Sequence, residues 1–97
     1  MPAYLTLINW TDQGAKGATE TVDRFETARD QMQQLGVAFT NIWWTVGPYD
    51  IVGVLEAPDE ETATAALLGA VAAGNIRTTT MRAFSADEMR SISQRIA

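Results

Sequence analysis

Val37-Ala-Phe-Thr-Asn-Ile-Trp-Trp-Thr-Val46, Gly47-Pro-Tyr-Asp50 and Ile51-Val-Gly-Val-Leu55 read in succession as strand, turn and strand. Both runs are rich in β-branched and aromatic residues, which fit a pleated, half-buried surface. Pro48 stands at the second position of a tight turn, where its fixed φ is suited. This hairpin decides the fold, because the chain on either side of it repeats one order: a helix next to the hairpin, then an outer strand.

Toward the N-terminus, Val22, Phe25, Ala28, Met32 and Leu35 recur at three- and four-residue steps. They predict a helix from about Thr19 with one apolar stripe. Gly36 follows, where a helix commonly ends in a left-handed residue. Before it, Thr11 to Ala18 reads as a loop, and Ala3-Tyr-Leu-Thr-Leu-Ile-Asn-Trp10 as a strand whose start is fixed by Pro2. Toward the C-terminus, Pro58-Asp-Glu-Glu61 is a helix start, with Asp59 as cap and the acids at the positive end of the helix dipole. That helix runs to about Ala73 and stops at Gly74. Its face of Ala63, Ala66, Leu67, Ala70 and Val71 is small, which predicts close packing on a neighbour. Asn75 to Phe84 reads as the last strand. Ser85-Ala-Asp-Glu88 matches a capping box for a short terminal helix bearing Met89, Ile92 and Ile96 on one face.

The order is βαββαβ plus a terminal helix, expected to form a single domain over residues 1–97. With right-handed crossovers this is a ferredoxin-like α+β fold: a four-stranded antiparallel sheet, first and third strands central, both long helices on one face. The central strands nevertheless carry apolar residues on both faces, Leu5 and Leu7 against Ile8, and Val52 and Val54 against Ile51 and Leu55. A bare apolar face that size is unusual in water. The terminal helix is one candidate cover. A second copy of the sheet is the better one, and two sheets packed in this way make a dimeric α+β barrel. The expected partner is therefore the chain itself, as a homodimer or a larger ring of dimers.

Composition excludes several functions. The chain of 97 residues has a net charge of −5, and Lys16 is its only lysine. Phosphate binding needs clustered basic residues, so nucleic acid is not an expected partner, nor is an anionic membrane surface. With neither histidine nor cysteine, a Ser-His-Asp triad, a thiol nucleophile, a disulfide framework and the usual zinc and haem ligand sets are ruled out. No metal site and no cofactor are expected. The run from Ala63 to Ala73 is interrupted and too short to span a bilayer. No signal peptide is legible, and a cytoplasmic protein is expected.

The residues able to carry chemistry each have a second, structural reading. Asn9, Trp10 and Asp12 lie where a central strand gives way to a loop, a place where such folds open clefts. Asn9 is a candidate hydrogen-bond donor to a ligand oxygen, and Asp12 a polar contact or base. Alternatively, Asn9 satisfies loop backbone and Asp12 nucleates a turn, which for Asp12 is the favoured reading. Trp43 and Trp44, adjacent in a strand, must face opposite sides. Either is a potential ligand platform, though packing is the leading role for both. Tyr49 offers a phenol for proton transfer, against packing on a partner subunit, with Asp50 bonding backbone amides. Arg77 and Arg82 are five apart on one strand and so lie on opposite faces. An arginine on an interior face needs an anionic ligand or a carboxylate, with Glu56 or Asp50 as possible partners.

The segment Ile8-Asn9-Trp10-Thr11-Asp12-Gln13-Gly14, the turn Gly47-Pro48-Tyr49-Asp50 and the strand Asn75-Ile-Arg-Thr-Thr-Thr-Met-Arg-Ala-Phe84 together resemble the GYD-domain family. The resemblance extends over roughly Met1 to Glu88, and Pro48 within the namesake turn stiffens it. It implies a dimeric α+β barrel with a pocket and transfers no reaction. Three readings follow. The first is a small-molecule-binding homo-oligomer without catalysis. The second is a cofactor-independent, monooxygenase- or isomerase-like enzyme on a small aromatic or polyketide-like substrate. The third is a structural assembly unit with no ligand. A pocket bordered by Asn9, Trp10, Trp43 or Trp44, Tyr49 and one arginine is the leading expectation.

Overall fold

A computed structural model describes residues 1–96. Ala97, the last residue of the expected domain, lies outside the described residues. The elements are β1 (Ala3–Trp10), α1 (Asp12–Lys16), a 3₁₀ turn (Ala18–Glu20), α2 (Thr21–Gln33), β2 (Ala38–Trp44), β3 (Ile51–Glu56), α3 (Glu60–Ala72), β4 (Ile76–Ala83) and α4 (Ala86–Ser93). The strands form one antiparallel sheet in the order β2-β3-β1-β4. The expected ferredoxin-like α+β architecture is therefore the observed one, with β1 and β3 central.

Alternation along the strands separates two faces. On the helix-covered face the register aligns Trp44, Ile51, Ile8 and Thr78 in one row, and Phe39, Leu55, Tyr4 and Arg82 in another. Tyr4, Ile8, Ile51 and Leu55 are buried there, and the core continues into Met32 of α2, Val37, Ala57 and Ala63, Ala66 and Leu67 of α3. On the other face the rows are Trp43, Val52, Leu7, Thr79 and Asn41, Val54, Leu5, Met81. Among the described residues no helix covers this face: α4 buries none of its residues, and Trp43 and Met81 are about half exposed, at 52% and 45%. The terminal helix thus leaves the second face open.

Several local expectations change. The segment expected as a loop, Thr11 to Ala18, is mostly helical, because the Thr11 side chain accepts from the Gly14 amide and caps α1. The strand expected to run to Val46 ends at Trp44, and Thr45 to Asp50 form a wider loop than a tight turn. It is closed by the Thr45 amide donating to the Asp50 carbonyl at 2.8 Å. Val46 in this loop is fully exposed. Of the α2 stripe only Met32 is buried; Phe25 and Ala28 are half-buried, and Val22 and Leu35 are exposed. Helix ends follow expectation: Gly36 and Gly74 adopt φ of 82° and 87°, a left-handed conformation that other residues enter at a cost. Asp59 caps α3, and the Ser85–Glu88 capping box starts α4. Among the described residues no helix is long and apolar enough to cross a membrane.

Candidate functional site

The small face of α3 does not close against α2. Ala70, Ala73 and Gly69 are too short to reach across to Ala28, Gln31 and Met32, and the helices stay apart over the sheet. Between them lies a cleft of about 510 Å³. Ile8, Ile51 and Thr78 form its floor, and Phe25, Met32 and Phe39 one wall. The close packing expected of the α3 face holds in the core, where Ala63, Ala66 and Leu67 are buried with Tyr4 and Leu55, and it gives way to a cleft only toward α2, beside Gly69 and Ala70.

One polar group stands out in this apolar space. Trp10 lines the cleft, and its indole Nε1 is buried with no hydrogen-bond partner among the described residues. A buried donor without an acceptor costs about 1–3 kcal/mol. The rim carries Glu20, Asp23 and Arg24. Arg24 is committed to structure, donating to the Gly17 and Gly14 carbonyls at 2.9 and 3.0 Å. Two carboxylates against one guanidinium leave the rim negative.

The backbone around Trp10 is fixed from both sides. Its amide donates to the Asp50 carboxylate at 2.9 Å, tying the β2–β3 loop to the exit of β1. Asp50 thus bonds a backbone amide, but on another strand. The Thr11 hydroxyl donates to the Gly74 carbonyl at 2.6 Å, and Gln13 donates to the Ala73 carbonyl and to Asn75 Oδ1. Asp12 is exposed in the first turn of α1. Tyr49 lies half-buried in the β2–β3 loop, where its carbonyl accepts from the Thr45 hydroxyl.

The remaining candidates divide between the two faces. Trp44 is on the helix side, edge-on to Phe25 at 5.9 Å between centroids, with its Nε1 donating to the Thr21 hydroxyl at 2.9 Å. Trp43 faces the open side beside Val52. Asn9 and Arg77 are register partners on that same open side. Arg82 is on the helix side, where its ion-pair partner is Glu88 of α4 at 3.2 Å, not Glu56 or Asp50. Its guanidinium also lies 4.3 Å from the Phe84 ring centroid. Of the sequence candidates, then, only Trp10 lines the interhelical cleft; Asn9, Arg77 and Trp43 share the open face.

Alternation on a strand separates two faces but not which is which, so sequence reasoning left Trp43 and Trp44 unassigned. It missed Tyr4, whose buried hydroxyl has no partner among the described residues. It also missed Phe25 as the ring on which Phe39 and Trp44 stand. The three-residue step from Val22 to Phe25 marks an inward position, yet nothing local says which strand residues it meets. Among the described residues no group of three or more His, Cys, Asp or Glu side chains is placed to hold a metal ion.

The family model of the GYD domain matches residues 4–93. The chain is similar to a protein of Thermus thermophilus described as a glutamine synthetase and cystathionine beta-lyase binding protein. The two are 31% identical over 84 residues, which is 86% of this chain and 88% of that one. In three dimensions the chain is similar to the crystal structure of TTHA0845, also from Thermus thermophilus. The TM-score is 0.56 at 20% identity, covering 89% of this chain and 96% of the other, a likeness of fold.

Proposed function

The chain belongs to the GYD-domain family, and from that premise we propose that it is a binding module without catalytic machinery. It pairs with a second copy through its open sheet face and takes a small, largely apolar molecule into the interhelical cleft. The observation that carries the pairing is the uncovered face itself, where Leu5, Leu7, Val52, Val54, Met81 and Trp43 stand in adjacent rows. Fully burying one large apolar side chain contributes about 1.5–3 kcal/mol. These are already half-buried, so burying the rest on both copies contributes on the order of 10 kcal/mol. Association costs about 4–15 kcal/mol. The two are comparable, so burial of this face is large enough to offset the cost of association. In the pair, Asn9, Arg77 and Trp43 meet the partner, and the two sheets close a barrel. Trp10 is the polar anchor for the ligand, offering its Nε1 to an acceptor.

Native mass spectrometry of protein isolated from its source tests both halves, reporting subunit number and any co-purifying small molecule. A Leu7→Glu variant should run as a monomer while keeping its circular dichroism. Wild-type protein that is already monomeric at tens of micromolar removes the pairing. An Ala70→Leu variant should fold and lose the co-purifying molecule; retention of that molecule removes the cleft as its site.

A second reading has one specific support, the enzyme-binding description of the Thermus relative. On this reading the module binds a metabolic enzyme. Mixing the protein with purified glutamine synthetase and with cystathionine β-lyase, followed by sedimentation velocity, separates the readings. A co-sedimenting complex with either enzyme favours the adaptor role.

A further inference from the structure

We propose that a second cleft, between α3 and β4, is a separate binding site for a small amphipathic carboxamide. This cleft lies on the other flank of α3 from the interhelical cleft, with which it shares Leu67 and Thr78, and the inference does not depend on that cleft being occupied.

The cleft has a volume of about 450 Å³. Its floor is Tyr4 of the central strand β1 with Thr78, Thr80 and Arg82 of the edge strand β4, Tyr4 and Arg82 being register partners. Its wall is the apolar flank of α3, with Leu67, Leu68 and Val71. Leu68 is 63% exposed, a large side chain left in water at the mouth of a groove. Such a combination, an apolar wall over a few fixed polar groups, is the usual make-up of a small-molecule site.

The polar groups define the ligand. Tyr4 is 5% exposed, and its hydroxyl is closed off without a hydrogen-bond partner among the described residues. The other polar groups of the floor are already engaged. The Thr80 hydroxyl bonds that of Thr6 at 3.0 Å. Arg82 donates to the Ala3 and Ala83 carbonyls and to Glu88. What is missing is an acceptor for Tyr4. A carboxylate would supply one, but the charge balance disfavours it. The charge of Arg82 is matched by Glu88, and Glu60 lines the same cleft, leaving an excess of one negative charge in a chain of net charge −5. A neutral carbonyl oxygen meets no such repulsion. An amide adds N–H groups that Glu60 accepts, while an alkyl or aryl body covers Leu68 and Val71. An acid adds a repelled charge, and an alcohol offers a weaker acceptor and a single donor, so the amide is the favoured ligand.

The test is an amide-resolved NMR titration of the full chain with phenylacetamide, with phenylacetate and 2-phenylethanol in parallel. Saturable shifts are expected at Tyr4, Thr64, Leu68 and Thr80 with phenylacetamide, at lower concentration than with either control. Tyr4→Phe keeps the ring and should weaken phenylacetamide binding about tenfold. Because the hydroxyl has no partner in the free protein, Tyr4→Phe should leave the melting temperature unchanged or higher. Phenylacetate binding as tightly as the amide overturns the proposal. So does unchanged affinity in Tyr4→Phe, a fall in its melting temperature, or shifts centred instead on Ile8, Trp10 and Ala28.

Discussion

Gly14 packs so closely on Asn75 that a methyl group on its Cα would stand 2.0 Å from the Asn75 carbonyl oxygen. The contact joins the turn after β1 to the link between α3 and β4. It works with the Thr11–Gly74, Gln13–Ala73 and Gln13–Asn75 bonds and with the Thr11 amide donating to the Asn75 carbonyl at 3.0 Å. The partner here is backbone, which cannot swing aside as a side chain would. Gly14→Ala should therefore destabilise the protein by about 3 kcal/mol, measured as a lowered urea midpoint. A loss under about 1 kcal/mol would show that the latch yields cheaply.

Gly69 is the opposite case. It sits inside α3 with nothing within 4 Å of where a methyl would stand. Alanine there removes backbone freedom from the unfolded chain without a clash, so Gly69→Ala should stabilise by about 0.5–1 kcal/mol in thermal or urea unfolding.

Asp50 links two elements far apart in sequence through the Trp10 amide. Removing its carboxylate leaves that part-buried amide without an acceptor. Asp50→Ala should cost about 1–3 kcal/mol, and hydrogen exchange at the Trp10 amide should speed up by more than at neighbouring β1 amides. Equal acceleration along β1 would mean that the bond has no local effect.

The fully buried Thr6 hydroxyl and that of Thr80 satisfy each other. Thr6→Val alone strands the Thr80 hydroxyl and should cost about 1–2 kcal/mol. The double variant with Thr80→Val should cost less than the sum of the singles, with a coupling of about 1 kcal/mol in a double-mutant cycle. Additive losses would show that the hydroxyls are not coupled.

Acid should loosen the helix starts first. The Thr62 backbone amide holds the Asp59 carboxyl below its ordinary range, and the Ser85 amide, joined by Arg82, does the same for Glu88. A depressed folded-state pKa means that the stabilisation is complete above the ordinary carboxylate range, at about pH 4. It is lost as pH falls through the lowered values. Amide exchange at Thr62 and Ser85, corrected for intrinsic rate, should show protection falling below that pH. Asp59→Asn should flatten the Thr62 profile, and a Thr62 profile unchanged by that substitution would assign the effect elsewhere.

Local chemistry made much of the fold legible. Ser85 and Glu88 stand three apart as a capping box does, and they form one. Gly36 and Gly74 stand where helices end, and both are left-handed. The apolar periods of the strands and helices revealed element type and order, because burial on one face imposes its own period on any chain. Thr11 reads as the start of a loop because a five-residue helix is too short to show a period; its capping bond forms only once the chain is folded.

The candidate site was less legible, since a cleft is the volume that side chains fail to fill. The small face of α3 was plain in the sequence, but small residues permit either a tight seam or a vacancy. In the fold both occur: Ala63 and Ala66 are packed in the core, while Gly69 and Ala70 border the cleft toward α2. Sequence leaves Arg82 equally open, since its partner Glu88 lies on another element, six residues further on.

The sequence by itself determined the succession of strands and helices, their caps and the presence of apolar residues on both sides of the central strands, since all of these are set by neighbours within a few positions. Only the tertiary structure decided that Trp44 faces the helices and Trp43 the open side, that Tyr4 and Trp10 keep polar atoms without partners, and that the helices stand apart. Those facts depend on register and on the distance between elements, which are fixed by contacts across the whole chain.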